Sequence, residues 1–288
     1  MLRVVLFLLT PLSLYLTGLG LGPIAAAIAA ITATACVMLI ANPLAAEVYA
    51  VSTAVPAVIC TRLALMNREF EGEREWYPLG RVTVAAAIFA GAFTILALIL
   101  MGGDVDTLSK LLRSVVESFV KNEISQIPGA PEIGPAEIDD ITRSTLLSLP
   151  WALGILAMGT ILLNLWLAGR ITRASGRLQR PWPDLATFSM PPSATFVLLI
   201  AIALTFVGGM AGLCAAGVAA PFTLAFALVG LALIHSLTRG SQWRTFILTA
   251  VYVGLLFVPH IGLLLAIVGL AETVFRYRSA GKPPEEPN

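Results

Sequence analysis

Four arginines, Arg170, Arg173, Arg177 and Arg180, recur at three-to-four spacing and run into Pro181-Trp182-Pro183. At that spacing side chains share one face of a helix. A row of guanidinium groups attracts anions. Anionic lipid headgroups are one class, at about 1 kcal/mol per basic residue near the membrane surface. An acidic protein partner is another. Nucleic acid fits poorly, because the patch is short and interleaved with apolar runs. Trp182 is of the type that sits at headgroup level, and Pro181 and Pro183 stiffen the return path. Arg170, Arg173, Arg177, Arg180 and Trp182 are therefore candidate contacts to lipid or to a partner. Asn164 is a separate candidate. It is a polar residue inside an apolar run, where an amide can bond a neighbouring helix.

Signatures of catalysis are missing. The sequence has no HExxH, no GxSxG and no Walker A loop. His235 and His260 are the two histidines, and neither stands at ligand spacing from a pair of carboxylates. Cys36, Cys60 and Cys214 lie far apart in apolar runs, in no CxxC spacing, which reads as buried inert thiols rather than a zinc site. The expectation is a chain that is not an enzyme and holds no cofactor or metal.

The elements that must position these residues are membrane helices. The chain is 58% hydrophobic and 12% charged, against about 25% charged in soluble proteins, and its mean hydropathy is +0.88. Apolar runs at 2–20, 22–41, 44–65, 82–101, 144–169, 193–217, 220–238 and 245–275 reach or approach the roughly 20 residues that cross a hydrocarbon core. The fold class is an all-α polytopic transmembrane bundle of about seven spans plus a C-terminal hydrophobic hairpin broken at Pro259–His260. One domain covers 1–278, and 279–288 form a flexible tail. "GLGLGP" at 18–23 and "AAP" at 219–221 read as breaks between helices. Gly208 and Gly212 form a small-xxx-small pair that allows close helix contact.

Residues 104–143 do not span. Val105, Leu108, Leu112, Val115, Phe119 and Val120 repeat at helical spacing opposite Lys110, Arg113, Glu117 and Lys121, so an amphipathic helix forms, lying on the membrane or against the bundle. Asp106 is placed to cap it and Pro128 to end it. A second helix starts at Pro135, with Glu137, Asp139 and Asp140 in its first turns, and runs on into the 144–169 span.

Charge sets the orientation. Arg62, Arg68, Arg74 and Arg81 fall in one loop, Arg170 to Arg180 in another, Arg239 and Arg244 in a third, and Arg276, Arg278 and Lys282 in the tail. Basic residues accumulate on the cytoplasmic side of short loops. The loops 62–81, 170–192 and 239–244 are thus expected inside and 104–143 outside. Glu47 is expected near the outer surface, and Glu272 and Arg276 pair at i, i+4. Three apolar runs before the first basic loop place Met1 outside.

The segments "REWYPLGR" (74–81), "NLWLAGRITRASGRLQRPWPDL" (164–185), "HSLTRGSQWR" (235–244) and "GLAETVFRYR" (269–278) resemble, in this order, the YybS-like bacterial membrane proteins, domain of unknown function 2232, in their alphaproteobacterial form. That resemblance implies a helical bundle in a bacterial inner membrane. It also implies a loose likeness to the substrate-binding components of energy-coupling-factor transporters, and one more apolar helix upstream of residue 1. It transfers no ligand residues. Two functions follow as expectations: a solute-binding or transport component without its own ATPase, or a membrane scaffold that docks a cytoplasmic protein or partner subunit through its basic loops.

Overall fold

Proline and glycine set the first breaks in the chain. The structure, a computed structural model, describes residues 2–124, 126–127, 133–258 and 260–275. Helix α1 (Leu2–Leu9) stops before Pro11, which has no N–H to continue the ladder, and α2 (Leu12–Leu21) restarts behind it. Gly22, at φ 101°, turns the chain into α3 (Pro23–Ile40), whose Pro23 occupies the first helical turn. The Asn42 side chain caps α4 (Pro43–Tyr49) by accepting from the Ala45 N–H at 2.8 Å. A π turn over Ala50–Ala54 leads into α5 (Val55–Leu65). Pro56 explains that turn, because it withdraws one donor from the helical ladder.

The first basic loop carries a hairpin that periodicity did not announce. Strands β1 (Asn67–Phe70) and β2 (Glu73–Trp76) pair antiparallel, from Asn67 opposite Trp76 to Phe70 opposite Glu73. Glu71 and Gly72, at φ 53° and 81°, form the two-residue turn. Positive φ at both positions is what the twist of a tight hairpin requires.

Helix α6 (Leu79–Leu100) follows, then a glycine turn and α7 (Val105–Phe119). The cap of α7 is Asp104, which accepts from the Thr107 N–H at 2.8 Å, not Asp106. Its Leu108 and Leu112 bury against Leu98 and Leu213, with Leu146 and Leu149 beside them. The amphipathic helix therefore packs on the bundle. Val115 and Phe119, expected on its inner face, are 57% and 58% exposed. The buried row runs instead from Leu108 and Leu112 through Val116 and Val120, each four residues on. Pro128 lies outside the described residues.

Helix α8 (Pro135–Ala174) does run from the acidic segment through the span, over 40 residues. At 1.5 Å per residue that is about 60 Å, roughly twice a hydrocarbon core. Its start is tied by Glu137, whose carboxylate accepts from the Gly134 N–H at 3.0 Å.

The next boundary corrects the expected one. The break falls between α9 (Ser193–Thr205) and α10 (Gly209–Leu237), not at 219–221. Gly208 and Gly209, at φ 74° and 59°, make the turn, and Gly212 gives the close helix contact, since an added Cβ there would stand 2.9 Å from the Thr205 carbonyl oxygen of α9. Pro221 lies inside α10, where a proline is tolerated because neighbouring helices compensate for the lost bond. Helices α11 (Arg244–Phe257) and α12 (His260–Phe275) form the short C-terminal arms, with Pro259 and the tail from 276 outside the described residues. Among the described residues six helices, counting α1–α2 and α4–α5 each as one, are long and apolar enough to cross a membrane, and α9, α11 and α12 are shorter.

Helix α10 is the hub. Ala219, Phe222, Ala225, Phe226 and Val229 bury against Ala87 and Ala90 of α6, Met158 of α8, Leu198 of α9 and Ala266 of α12. In lipid such contact rests on close packing, which small residues permit. A second cluster joins Tyr15, Ala57, Cys60, Val82 and Ile161. Cys60 is buried as expected, but Cys36 is exposed on the outer face of α3.

Candidate functional site

The second basic loop is built as a cover over the end of the bundle. Gly176, at φ 68°, ends the path of α8 after Ser175. The four arginines therefore do not share one helix face. Arg170 and Arg173 stay on α8, and Arg177 and Arg180 lie in the loop beyond it. The Trp182 ring returns against Gly169, where an added Cβ would stand 3.3 Å from it. The guanidinium carbons of Arg170 and Arg173 then lie 5.6 and 5.4 Å from the Trp182 ring centre. Such cation–π contacts contribute about 0.5–1 kcal/mol at exposed sites.

Arg180 leaves the row altogether. Its guanidinium is half-buried and donates to the carbonyls of Ala64 at 3.1 Å and Tyr77 at 3.0 Å. The first carbonyl closes α5 and the second lies just before α6, so one arginine clamps its own loop to both ends of the first basic loop. Burial pushes its pKa below the ordinary arginine value. Asp184 ties in the third loop. Its carboxylate caps the short turn Leu185–Thr187, accepting from the Ala186 N–H at 3.0 Å. It also accepts from Nη2 of Arg239 through both oxygens, at 2.5 and 2.7 Å. The Arg239 bond first, then the Ala186 N–H, holds the Asp184 carboxyl below its usual pKa, and the same bond raises that of Arg239. The three basic loops thus meet at one end of the bundle, as the charge pattern requires.

Under this cover lies a cavity of about 870 Å³, within the roughly 300–1,000 Å³ of ligand pockets. Its walls are apolar: Leu79 and Val82 of α6, Leu162 and Trp166 of α8, Leu228, Leu231 and Ala232 of α10, and Phe188 of the loop. Its polar groups gather at the loop end: Arg180, Asp184, His235, Arg239, Arg244 and Tyr252. Arg244 donates to the His235 carbonyl at 2.9 Å and reaches its Nδ1 at 3.4 Å. A guanidinium can only donate, so Nδ1 accepts and the ring proton sits on Nε2. That N–H then donates to Tyr252 Oη at 2.9 Å. The cavity is thus two-faced, with apolar walls and a polar end. Asp184, the acid of the cavity, is engaged by Arg239. Among the described residues no group of three or more His, Cys, Asp or Glu could hold a metal ion.

Of the sequence candidates, Trp182 and Arg180 line the cavity, and Arg170 and Arg173 stand behind Trp182. Arg177 is exposed away from it. Asn164 is fully buried and does not line the cavity. Its amide donates at 2.8 Å to the carbonyl of Leu8, in the last turn of α1 where the ladder is broken before Pro11, and at 2.8 Å to that of Thr160. His235, Arg239, Arg244, Tyr252 and Asp184 were not singled out for binding. The signal was available: a histidine and two arginines close a span in "HSLTRGSQWR", opposite the one acid of the Arg/Trp/Pro loop.

A model of the family described as "Predicted membrane protein (DUF2232)" matches residues 1–273. No curated protein and no solved structure matches the chain. The chain belongs to the DUF2232 family of predicted membrane proteins.

Proposed function

We propose that this membrane protein is a solute-binding or transport component without its own ATPase, and that its solute is an amphiphile. The cavity under the 175–192 loop carries the reading: its apolar walls accept a chain, and its polar end accepts a head. The protein acts without catalysis, in a bacterial inner membrane with the basic loops on the cytoplasmic side. This fits the resemblance to energy-coupling-factor substrate-binding components. Purified protein in phosphatidylcholine nanodiscs is expected to gain thermal stability with dodecyl phosphate or dodecanol, by about 2.7 kcal/mol at a hundredfold excess over Kd. A Leu231→Trp variant, with the cavity filled, is expected to gain none. No gain with any amphiphile, or an equal gain in the filled variant, overturns the reading.

A second reading is a scaffold that docks a cytoplasmic protein. The exposed hairpin β1–β2 and the exposed Arg173 and Arg177 favour it, whereas Arg180 is committed to its own backbone. Crosslinking in cells is expected to recover one abundant partner, and recovery unchanged in the Arg173→Gln/Arg177→Gln double variant counts against docking through these arginines.

A further inference from the structure

The cations of the cavity are not equivalent. Arg180 is held by two backbone carbonyls, and Arg244 by the His235 carbonyl and the Thr238 hydroxyl. These partners are fixed by the fold. Arg239 is different: its guanidinium bonds, among the described residues, to the carboxylate of Asp184. Side chains of both residues are about half exposed, at 54% and 46%, so water and a ligand reach them. Asp184 is also the one acid among the residues that line the cavity, against three arginines and His235.

Resting on the amphiphile reading, we propose that Arg239 is the head-group residue, that the head is a monoanion or dianion of the phosphate or carboxylate class, and that Asp184 competes with the head for that guanidinium. Binding then exchanges one anion for another at the same guanidinium. An arginine fork accepts phosphate and carboxylate oxygens equally well. The apolar walls hold the attached chain, so a free anion without a chain gains little. Asp184 tunes affinity downward and keeps the arginine from taking small anions.

The sign of one substitution separates this competition from a structural bridge. Asp184→Asn removes the charge but keeps a side-chain oxygen to cap the Leu185–Thr187 turn, since asparagine caps as well as aspartate. Asp184→Ser does the same with a different shape. The probes are dodecyl phosphate, dodecanol and inorganic phosphate, titrated against the full chain in phosphatidylcholine nanodiscs by tryptophan fluorescence. Wild type is expected to bind dodecyl phosphate more tightly than dodecanol, and inorganic phosphate weakly. Both Asp184 variants are expected to tighten dodecyl phosphate by about threefold, the range of an exposed ion pair, and to leave dodecanol unchanged. Arg239→Gln is expected to erase the preference for the phosphate. Weaker or unchanged dodecyl phosphate binding in both Asp184 variants overturns the competition while leaving the amphiphile cavity intact. Equal binding of dodecyl phosphate and dodecanol by wild type overturns the anionic head. Tight binding of inorganic phosphate overturns the need for a chain. Binding of neither amphiphile removes the cavity reading and this inference together.

Discussion

Replacing Gly269 with alanine is expected to cost about 3 kcal/mol of stability, the upper range for overpacking a close contact. Helices α10 and α12 meet backbone to backbone. A Cβ at Gly269 would stand 1.9 Å from the Phe226 carbonyl oxygen and 2.7 Å from the Gly230 nitrogen. Neither atom belongs to a side chain that can swing aside, so α12 must back away and lose its packing on Phe226 and Val229. The cavity wall formed by α10 should loosen with it. Gly159→Ala is the control. It is also helical, but its added methyl meets nothing within 4 Å, and it is expected to be neutral or to gain up to about 1 kcal/mol from helix propensity. Thermal unfolding of both variants in one detergent checks this, and equal melting temperatures would refute the backbone contact.

Replacing Arg180 with glutamine is expected to be nearly as costly, at about 3 kcal/mol, because two hydrogen bonds from a charged donor disappear together. The Ala64 carbonyl lies at the open end of α5 and the Tyr77 carbonyl at the entry to α6, so both lose a partner at a helix end. Arg180→Lys should recover part of the loss, since an ammonium carries the charge but not the planar fork. Arg173→Gln, at an exposed position over Trp182, is expected to stay within about 0.5 kcal/mol. Limited proteolysis of the 175–192 loop beside thermal unfolding reads both effects. A loop cut no faster in Arg180→Gln than in Arg173→Gln would show that the clamp carries no energy.

The difference between those arginines shows what the sequence could disclose. Spacing alone grouped Arg170, Arg173, Arg177 and Arg180, and the charge pattern assigned the loops to one end, which the Arg180 and Arg239 bonds now join. Spacing could not show where α8 stops. Gly176 decides that, and it separates two helical arginines from two loop arginines. The breaks followed the same rule. Pro11 and Gly22 were legible because they interrupt the ladder wherever they stand. Pro221 was misleading because its neighbours, Gly154 among them, make room for it, while Gly208 and Gly209 turn the chain by left-handed backbone that apolar composition hides. The cavity was invisible in principle. Its polar end draws on Asp184, His235, Arg239 and Tyr252, from four elements up to 68 positions apart, and only tertiary packing brings them together.

Helix α9 lies against α10 and measures 13 residues. At 1.5 Å per residue α9 has about 20 Å of apolar length, against the ~30 Å of an average hydrocarbon core. Helix α6, which packs on the same α10, runs for 22 residues, about 33 Å. The two helices therefore differ by roughly 13 Å in length, and a uniform bilayer cannot match both. Lipid beside α9 must thin, or the whole bundle must tilt toward that flank, at a fraction of a kcal/mol per ångström. Membrane thickness thereby becomes a variable that acts on α10 and, through it, on one wall of the cavity.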